Sequence, residues 1–423
     1  MEYILFVIYL LILCWLITKV SFVKNSGLSN KYILILFLAK IFAGLAIGWI
    51  SLNIYGKGND YWNVNRDGWI EYKLLWTNPK EYFTNIFHSQ YSQGYSGVFD
   101  YFQSFWNDLR NNIIIKILSI FDFFSRGNYY TNSLFFNFFG FLGHVAFYRI
   151  FIQVYKKQNR GVIVCCFLLP SMLYFTSGVQ KDSIIFTTLG FLCYSVFTSL
   201  NEKSFSTKRL FVIFISFVTL FLIRSYVLIN ILPALFIWVL VVKYNLPPLR
   251  TYIVGYIILG LLFFNFNSVI KSVNPLETVT EKQAAFFTLP KATTQIELDT
   301  LHPNFKSFLF NAPQAMNHLL LRPYPLEVPT KSLFPINVEL IIYQILFILY
   351  LFFKNKNEQK DYTPFIYFGV LFALTMFLFI GYIMPNLGSI IRYRSIYLPF
   401  LITPVICGIG WEKIAEAVKL KNN

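Results

Sequence analysis

Residues 32–52 read YILILFLAKIFAGLAIGWISL, a run in which Lys40 is the only charged side chain. At a rise of about 1.5 Å per residue, a helix of this length crosses the hydrocarbon core of a bilayer, which is about 30 Å thick. Similar apolar runs recur along the 423-residue chain, in which 56% of residues are hydrophobic and 13% are charged. Soluble domains carry about 25% charged residues. The composition therefore excludes a soluble globule and predicts an all-α polytopic membrane protein.

Hydropathy predicts about eleven transmembrane helices within one integral-membrane domain, residues 1–423. The predicted spans are 3–18, 32–52, 133–155, 162–177, 183–200, 210–223, 226–242, 251–267, 337–353, 363–384 and 395–411. The first run has no basic segment before it and no small-residue cleavage site after it. We therefore expect a retained span rather than a signal peptide.

Basic residues in the short loops set the predicted orientation, because Lys and Arg close to a span resist translocation. Alternate loops are basic, and they carry most of the net charge of +16. This pattern places the N-terminus outside and the C-terminus inside. The charge is therefore a topology signal and does not indicate a nucleic-acid partner.

Two long segments, 53–132 and 268–336, fall on the outer side of this topology. The first contains Ile113, Ile117, Ile120 and Phe124 at helical spacing, which predicts a helix lying in the outer interface. The second holds 8 of the 17 prolines, so we expect a broken, non-sheet lid. A short helix is predicted there near 312–321, capped by Asn311.

The cysteines and histidines favour neither a disulfide framework nor a zinc site. All five cysteines fall inside apolar runs, and the four histidines lack the spacing of a metal-binding motif. We expect neither a metal nor another cofactor.

Ionisable residues in or beside membrane spans are costly and are therefore functional candidates. The predicted topology places one such set on the outer side, namely Asp60, Asp67, Lys181, Asp182, Arg224, Arg322, Arg392 and Arg394. Arginine and lysine bind phosphate oxygens, and a carboxylate can accept the proton of an attacking hydroxyl. A membrane-anchored lipid diphosphate sugar with its head group outside would match this set.

Structural alternatives exist for each of these residues. Asp60 fits a turn, Lys181 and Asp182 can pair with each other at a helix start, and the arginines can be snorkelling anchors. Lys40 and Arg149 lie within predicted spans and fit an outer cavity less well.

Three short motifs, in this order along the chain, resemble EpsG-like and Wzy-type polysaccharide polymerases and related GT-C-type membrane glycosyltransferases. They are GNDYW at 58–62, PSMLYFTSGVQKDS at 170–183 and GSIIRYRSIYLP at 388–399. The resemblance implies a GT-C/O-antigen-polymerase-like fold in the bacterial inner (cytoplasmic) membrane. It also implies that Asp60, Lys181, Arg392 and Arg394 face a periplasmic substrate cavity. The first outer segment holds no Asp-Asp pair, which favours a metal-independent mechanism.

The leading hypothesis is a glycosyltransferase or polysaccharide polymerase that uses undecaprenyl-diphosphate- or phosphate-linked sugars at the periplasmic face. Its catalytic candidates are Asp60 and Asp67, and the remaining six outer-side residues would bind the diphosphate. Expected partners are the lipid-linked sugar donor, a glycan acceptor, membrane lipids and polysaccharide-assembly proteins, with no nucleic acid.

Two other classes stay open, a lipid-linked oligosaccharide flippase and a non-catalytic membrane assembly protein. A transporter is expected to show paired charges deep in several spans and two similar halves. Neither feature is evident in the sequence.

Overall fold

The computed structural model describes residues 2–56, 59–89, 91, 93–95, 104–271, 273–325, 327, 333–355 and 362–420. Within these ranges the protein is all-helical and contains no sheet, and only isolated bridges join Gln295 to Asn386 and Lys354 to Ile409. Gly58, the first residue of the GNDYW motif, lies outside them.

The α-helices follow one another along the whole described chain. They are α1 (Glu2–Lys19), α2 (Ser21–Lys24), α3 (Asn30–Tyr55), α4 (Asp60–Thr77), α5 (Pro79–Thr84), α6 (Phe105–Ser125), α7 (Tyr129–Val154), α8 (Asn159–Ile163), α9 (Pro170–Phe175), α10 (Lys181–Asn201), α11 (Thr207–Lys243), α12 (Pro248–Val269), α13 (Pro275–Phe287), α14 (Phe305–Leu320), α15 (Phe334–Phe353), α16 (Thr363–Ile383), α17 (Leu387–Ser395), α18 (Leu398–Gly408) and α19 (Trp411–Leu420). A 3-10 turn occupies Asn85–Phe87, and a π-helical turn occupies Val164–Leu168.

Eight helices among the described residues are long and apolar enough to cross a membrane: α1, α3, α7, α10, α11, α12, α15 and α16. The pair α17 and α18, bent by 65°, would be a ninth span if it is counted as one. The structure therefore confirms an all-α, multi-pass membrane protein. Among the described residues this is fewer than the eleven spans predicted.

Two local features explain the smaller number. The predicted span 162–177 is divided into α8, the π turn and α9, because Leu169 has extended backbone before Pro170. The predicted spans 210–223 and 226–242 lie in the single 37-residue α11. Arg224 interrupts α11 with non-helical dihedrals (φ −148°, ψ 81°), so the predicted break at this residue is present in the backbone.

The chain forms two compact units, which are described separately. Unit 1 comprises Met1–Arg149, Met172–Val196 and Ser206–Ser225. Unit 2 comprises Ile150–Ser171, Phe197–Phe205 and Tyr226–Asn423.

In unit 1, α3, α7 and α10 pack through small residues, which let helix backbones approach closely. Close pairs are Gly44 with Asn137, Gly48 with Tyr129, Gly140 with Ser183 and Gly143 with Thr187. These contacts show that α3 and α7 are antiparallel, whereas α7 and α10 are parallel. The start of α10 therefore lies beside the middle of α7 and not beside one of its ends.

The helix predicted within 53–132 is α6, and its two faces differ sharply. Ile120 and Phe124 of the predicted apolar stripe are about half exposed, at 53% and 50%. The opposite face buries Asp108, Asn112 and Asp122. The buried face also holds Ile114, Ile115 and Leu118, so it is mixed, whereas the exposed apolar stripe suits a helix that contacts lipid.

In unit 2, the segment between α12 and α15 packs against α16 and α17. Gly381 of α16 lies directly against the backbone of Ala315 in α14. The side chain of Gln283 donates to the carbonyl oxygen of Tyr382 at 2.7 Å and accepts from the Leu301 N–H at 2.7 Å. The described part of the predicted lid is therefore fastened to its neighbours by buried contacts.

The start of the helix in this segment differs from the prediction. The helix α14 begins at Phe305, and Asn304 caps it by accepting from the Ser307 N–H. Asn311 lies inside the helix, so its predicted capping role is wrong.

Candidate functional site

The two predicted catalytic carboxylates lie on α4. Asp60 is exposed in the first helical turn, which Asn59 caps by accepting from the Tyr61 and Trp62 N–H groups at 3.1 and 3.2 Å. Asp67 forms a solvent-exposed pair with Arg66 at 3.3 Å. A carboxylate in the first turn is favoured by the helix dipole. The described part of the GNDYW motif is thus a helix start that presents Asp60 to solvent.

A buried ion pair joins α10 to the interruption in α11. Asp182 Oδ1 lies 2.6 Å from Arg224 Nη2, and the two side chains are 0% and 9% exposed. Arg224 is also the residue with non-helical backbone. Loss of either partner would leave a buried charge, which is strongly destabilising.

Lys181 precedes this pair but makes a different contact. Its Nζ donates to Asn111 Oδ1 of α6 at 2.6 Å. Lys181 and Asp182 thus each contact a different partner on another helix. The two adjacent residues connect α10 to two different helices of unit 1.

A second polar cluster of unit 1 surrounds Lys40, within the predicted membrane spans. Lys40 Nζ donates to the Thr176 carbonyl oxygen at 2.7 Å and lies 3.0 Å from His144 Nε2. Its Nζ is also 3.4 Å from the hydroxyl oxygens of Thr176 and Ser177. Lys40 and His144 are 1% and 0% exposed. They are 104 positions apart, so only the packing of α3 on α7 reveals the pair.

The turn that follows α9 is part of the same polar core. Gly178 has a φ of +73°, which favours glycine, and its N–H donates to Asn137 Oδ1 at 3.0 Å. Within the PSMLYFTSGVQKDS motif, Thr176 and Ser177 therefore supply hydrogen-bond partners of Lys40, and Gly178 supplies the bend before α10.

In unit 2, Arg394 binds the end of α14. Its Nη1 donates to the carbonyl oxygens of Leu319 and Arg322 at 3.0 and 2.8 Å, and the residue is 4% exposed. Helix ends leave such carbonyl groups without intrahelical partners. Arg392 lies two positions earlier on α17, a spacing that places the two side chains on different helix faces. It is only partly buried, so it is the more accessible of the two arginines.

Arg322 follows α14 and joins three neighbouring side chains. Its Nη1 lies 3.2 Å from His318 Nε2, and its Nη2 lies 2.9 Å from Glu327 Oε1. The guanidinium group also stacks over the Tyr324 ring, 5.3 Å from its centroid. Burial, followed by the charge of Arg322, lowers the pKa of His318 to about 4.

Glu339 is a buried carboxylate that the sequence analysis missed. It is 5% exposed and accepts hydrogen bonds from the Ser171 N–H at 3.1 and 3.0 Å and from the Ser171 hydroxyl at 3.0 Å. The Tyr343 hydroxyl also donates to it. The sequence does mark Glu339 as a candidate, because it is the one charged residue in the apolar run 334–353.

The predicted candidates thus fall into two groups. Asp60, Asp67, Lys181, Asp182 and Arg224 belong to unit 1, and Arg322, Arg392 and Arg394 belong to unit 2. Among the residues that the structure describes, no group of three or more His, Cys, Asp or Glu is placed to hold a metal ion. No family model, curated protein or solved structure matches this chain.

Proposed function

We propose that this protein is a membrane glycosyltransferase or polysaccharide polymerase that uses an undecaprenyl-diphosphate- or phosphate-linked sugar at the outer face of the bacterial inner membrane. The observation that carries the proposal is the arginine cluster of unit 2. Arg394 binds the backbone of Arg322, and Arg392 lies on the same short helix as Arg394. Arg394 thereby links the helix that carries Arg392 to the turn that carries Arg322, and guanidinium groups bind the oxygens of a diphosphate well.

The apolar surface of unit 2 supports a lipid-linked substrate. In the most apolar 18-residue stretches of α12 and α15, only 6% and 17% of the residues are buried inside the protein. A groove of about 470 Å³ between α11 and α12 is lined by apolar side chains, including Ile237, Ile258 and Leu262. Such a groove suits a hydrocarbon chain, whose diphosphate would then need cations at the membrane surface.

In the proposed reaction, an acceptor hydroxyl attacks the anomeric carbon of the lipid-linked sugar. The bond between this carbon and the phosphate oxygen breaks, and the polyprenyl diphosphate leaves with the electron pair. Arg392 and Arg322 would stabilise the developing negative charge, which is usually the largest catalytic effect. Arg394 would hold the loop that carries Arg322. A general base takes the hydroxyl proton, and Asp60 and Asp67 stay the candidates for this role.

One observation favours the flippase as a second candidate. Asp182 and Arg224 form a buried ion pair, and Lys40 contacts His144 within the spans. Buried charges of this kind were expected of a transporter and were not evident in the sequence. Polar groups inside membrane spans often mark transport pathways or proton relays.

The test uses the purified chain in nanodiscs supplied with a lipid-linked sugar and a glycan acceptor, with transferred sugar as the readout. Arg392→Gln and Arg322→Gln should each lower the transfer rate by about tenfold or more, since each removes a charge-assisted hydrogen bond. Arg160→Gln is the matched control, because Arg160 is an exposed arginine of the same unit. Unchanged transfer in the Arg392→Gln, Arg322→Gln double variant would overturn the assignment.

A deletion strain separates the two candidate functions. Loss of a polymerase leaves single repeat units on the outer face, whereas loss of a flippase leaves them facing the cytoplasm. Accumulation on the cytoplasmic side would therefore replace the transferase proposal with the transporter.

A further inference from the structure

We propose that Arg322, oriented by His318, binds a phosphate group of the lipid diphosphate through its Nε and Nη2 groups, and that the Glu327 carboxylate competes for this site. The inference deepens the proposed function and rests on it for the identity of the ligand. The site itself follows from hydrogen-bonding groups within unit 2.

The contact between Arg322 and His318 fixes the tautomer of the imidazole. Arginine can only donate, so Nε2 of His318 must accept from Nη1 of Arg322 at 3.2 Å. In a neutral imidazole the proton is then on Nδ1. With a pKa of about 4, His318 is neutral at pH 7, which agrees with this assignment.

Two buried N–H donors are consequently left over. His318 is 3% exposed, and within the described part of the chain its Nδ1 has no hydrogen-bond partner. The same is true of Arg322 Nε. A buried donor without an acceptor is costly, and native structures rarely keep one without a reason. The Nε and Nη2 N–H groups of Arg322 lie on one edge of the guanidinium group, so an anion that displaces Glu327 accepts from both.

The end of α14 would normally repel an anion, because helix C-termini carry partial negative charge. Arg394 removes this obstacle by donating to the Leu319 and Arg322 carbonyl oxygens. It also adds a second positive charge beside the Arg322 backbone. Arg394 is therefore a positioning residue that makes the turn suitable for an anion.

The Glu327 carboxylate is the group within the protein that competes with a phosphate for Arg322. Its Oε1 lies 2.9 Å from Arg322 Nη2, and its Oε2 accepts from the Tyr324 N–H at 3.2 Å. The side chain is 24% exposed, so the pair is accessible to solvent. A diphosphate carries more charge than a carboxylate and can replace it on the guanidinium group. Asp299 is the other acid that acts on His318.

The experiment measures binding by calorimetry, with the full chain in nanodiscs and two probes, inorganic pyrophosphate and undecaprenyl diphosphate. His318→Phe keeps a ring but removes the acceptor that orients Nη1 of Arg322, and it should weaken binding of both probes by about tenfold. Glu327→Gln should strengthen binding by a similar factor, a gain that misfolding cannot produce. His302→Phe and Glu297→Gln change exposed residues of the same segment and should leave binding unchanged.

The outcomes separate the site from the reaction. Wild-type affinity in His318→Phe, or equal or weaker binding in Glu327→Gln, overturns the site. Binding of pyrophosphate without binding of undecaprenyl diphosphate overturns the lipid assignment. If both probes bind in a His318-dependent manner but the wild-type chain transfers no sugar, the proposed function fails and the site stands.

Discussion

The depressed pKa of His318 predicts a pH dependence of stability that a single substitution should remove. The difference between the ordinary pKa of 6.5 and about 4 in the folded chain corresponds to about 3 kcal/mol. Between these two pH values, the unfolded chain binds a proton at His318 and the folded chain does not. The free energy of unfolding therefore rises with pH across this window. The contribution is complete above pH 6.5 and is lost below pH 4.

The assay is denaturant-induced unfolding in detergent between pH 4 and 7.5, followed by tryptophan fluorescence. Relative to His318→Phe, the wild-type chain should gain about 3 kcal/mol across this range. Other groups titrate in the same interval, and burial raises the pKa of Asp122, which acts in the opposite direction. The difference between the two curves cancels such terms. His302→Phe, at an exposed histidine, should keep the wild-type slope. Parallel curves for His318→Phe and wild type would refute the reasoning.

Two further predictions concern the packing of each unit. In unit 1, Asp182→Asn and Arg224→Gln should each lower stability by about 3–5 kcal/mol, and the double variant should lose less than the sum. Additive losses in the same unfolding assay would show that the pair is not coupled. In unit 2, Gly381→Ala should destabilise by about 1–3 kcal/mol, because its Cβ would meet the Ala315 backbone. Gly260→Ala is the control, since a Cβ there meets open space, and it should be neutral or stabilising in thermal unfolding.

Hydropathy predicted most of the membrane-spanning helices because the signal is local. The runs that became α3, α7, α12 and α16 are each apolar enough on average over their length for hydropathy to detect them. Hydropathy failed where an apolar run does not form one continuous helix. Residues 162–177 are apolar, but Pro170 prevents Leu169 from continuing the helix.

The site was less predictable because its contacts join distant positions. Sidedness identified Asp182 and Arg224, but not that they bind each other, since this depends on the interruption in α11. Lys40 and His144 meet only because small residues let α3 and α7 approach. Glu339 was the avoidable omission, because a lone carboxylate in an apolar run is visible in the sequence.

The arginines that the sequence grouped together have different roles in the structure, and the difference lies in their partners. Arg224 is paired with a fully buried carboxylate, so most of its charge is compensated within unit 1. Arg394 uses its Nη1 on two backbone carbonyl oxygens. Arg322 instead shares a partly exposed carboxylate and leaves a buried donor beside that of His318. The capacity of a basic cluster to bind an anion is set by the donors that internal partners leave over. By that measure, the turn after α14 is the position in unit 2 at which a phosphate would be held.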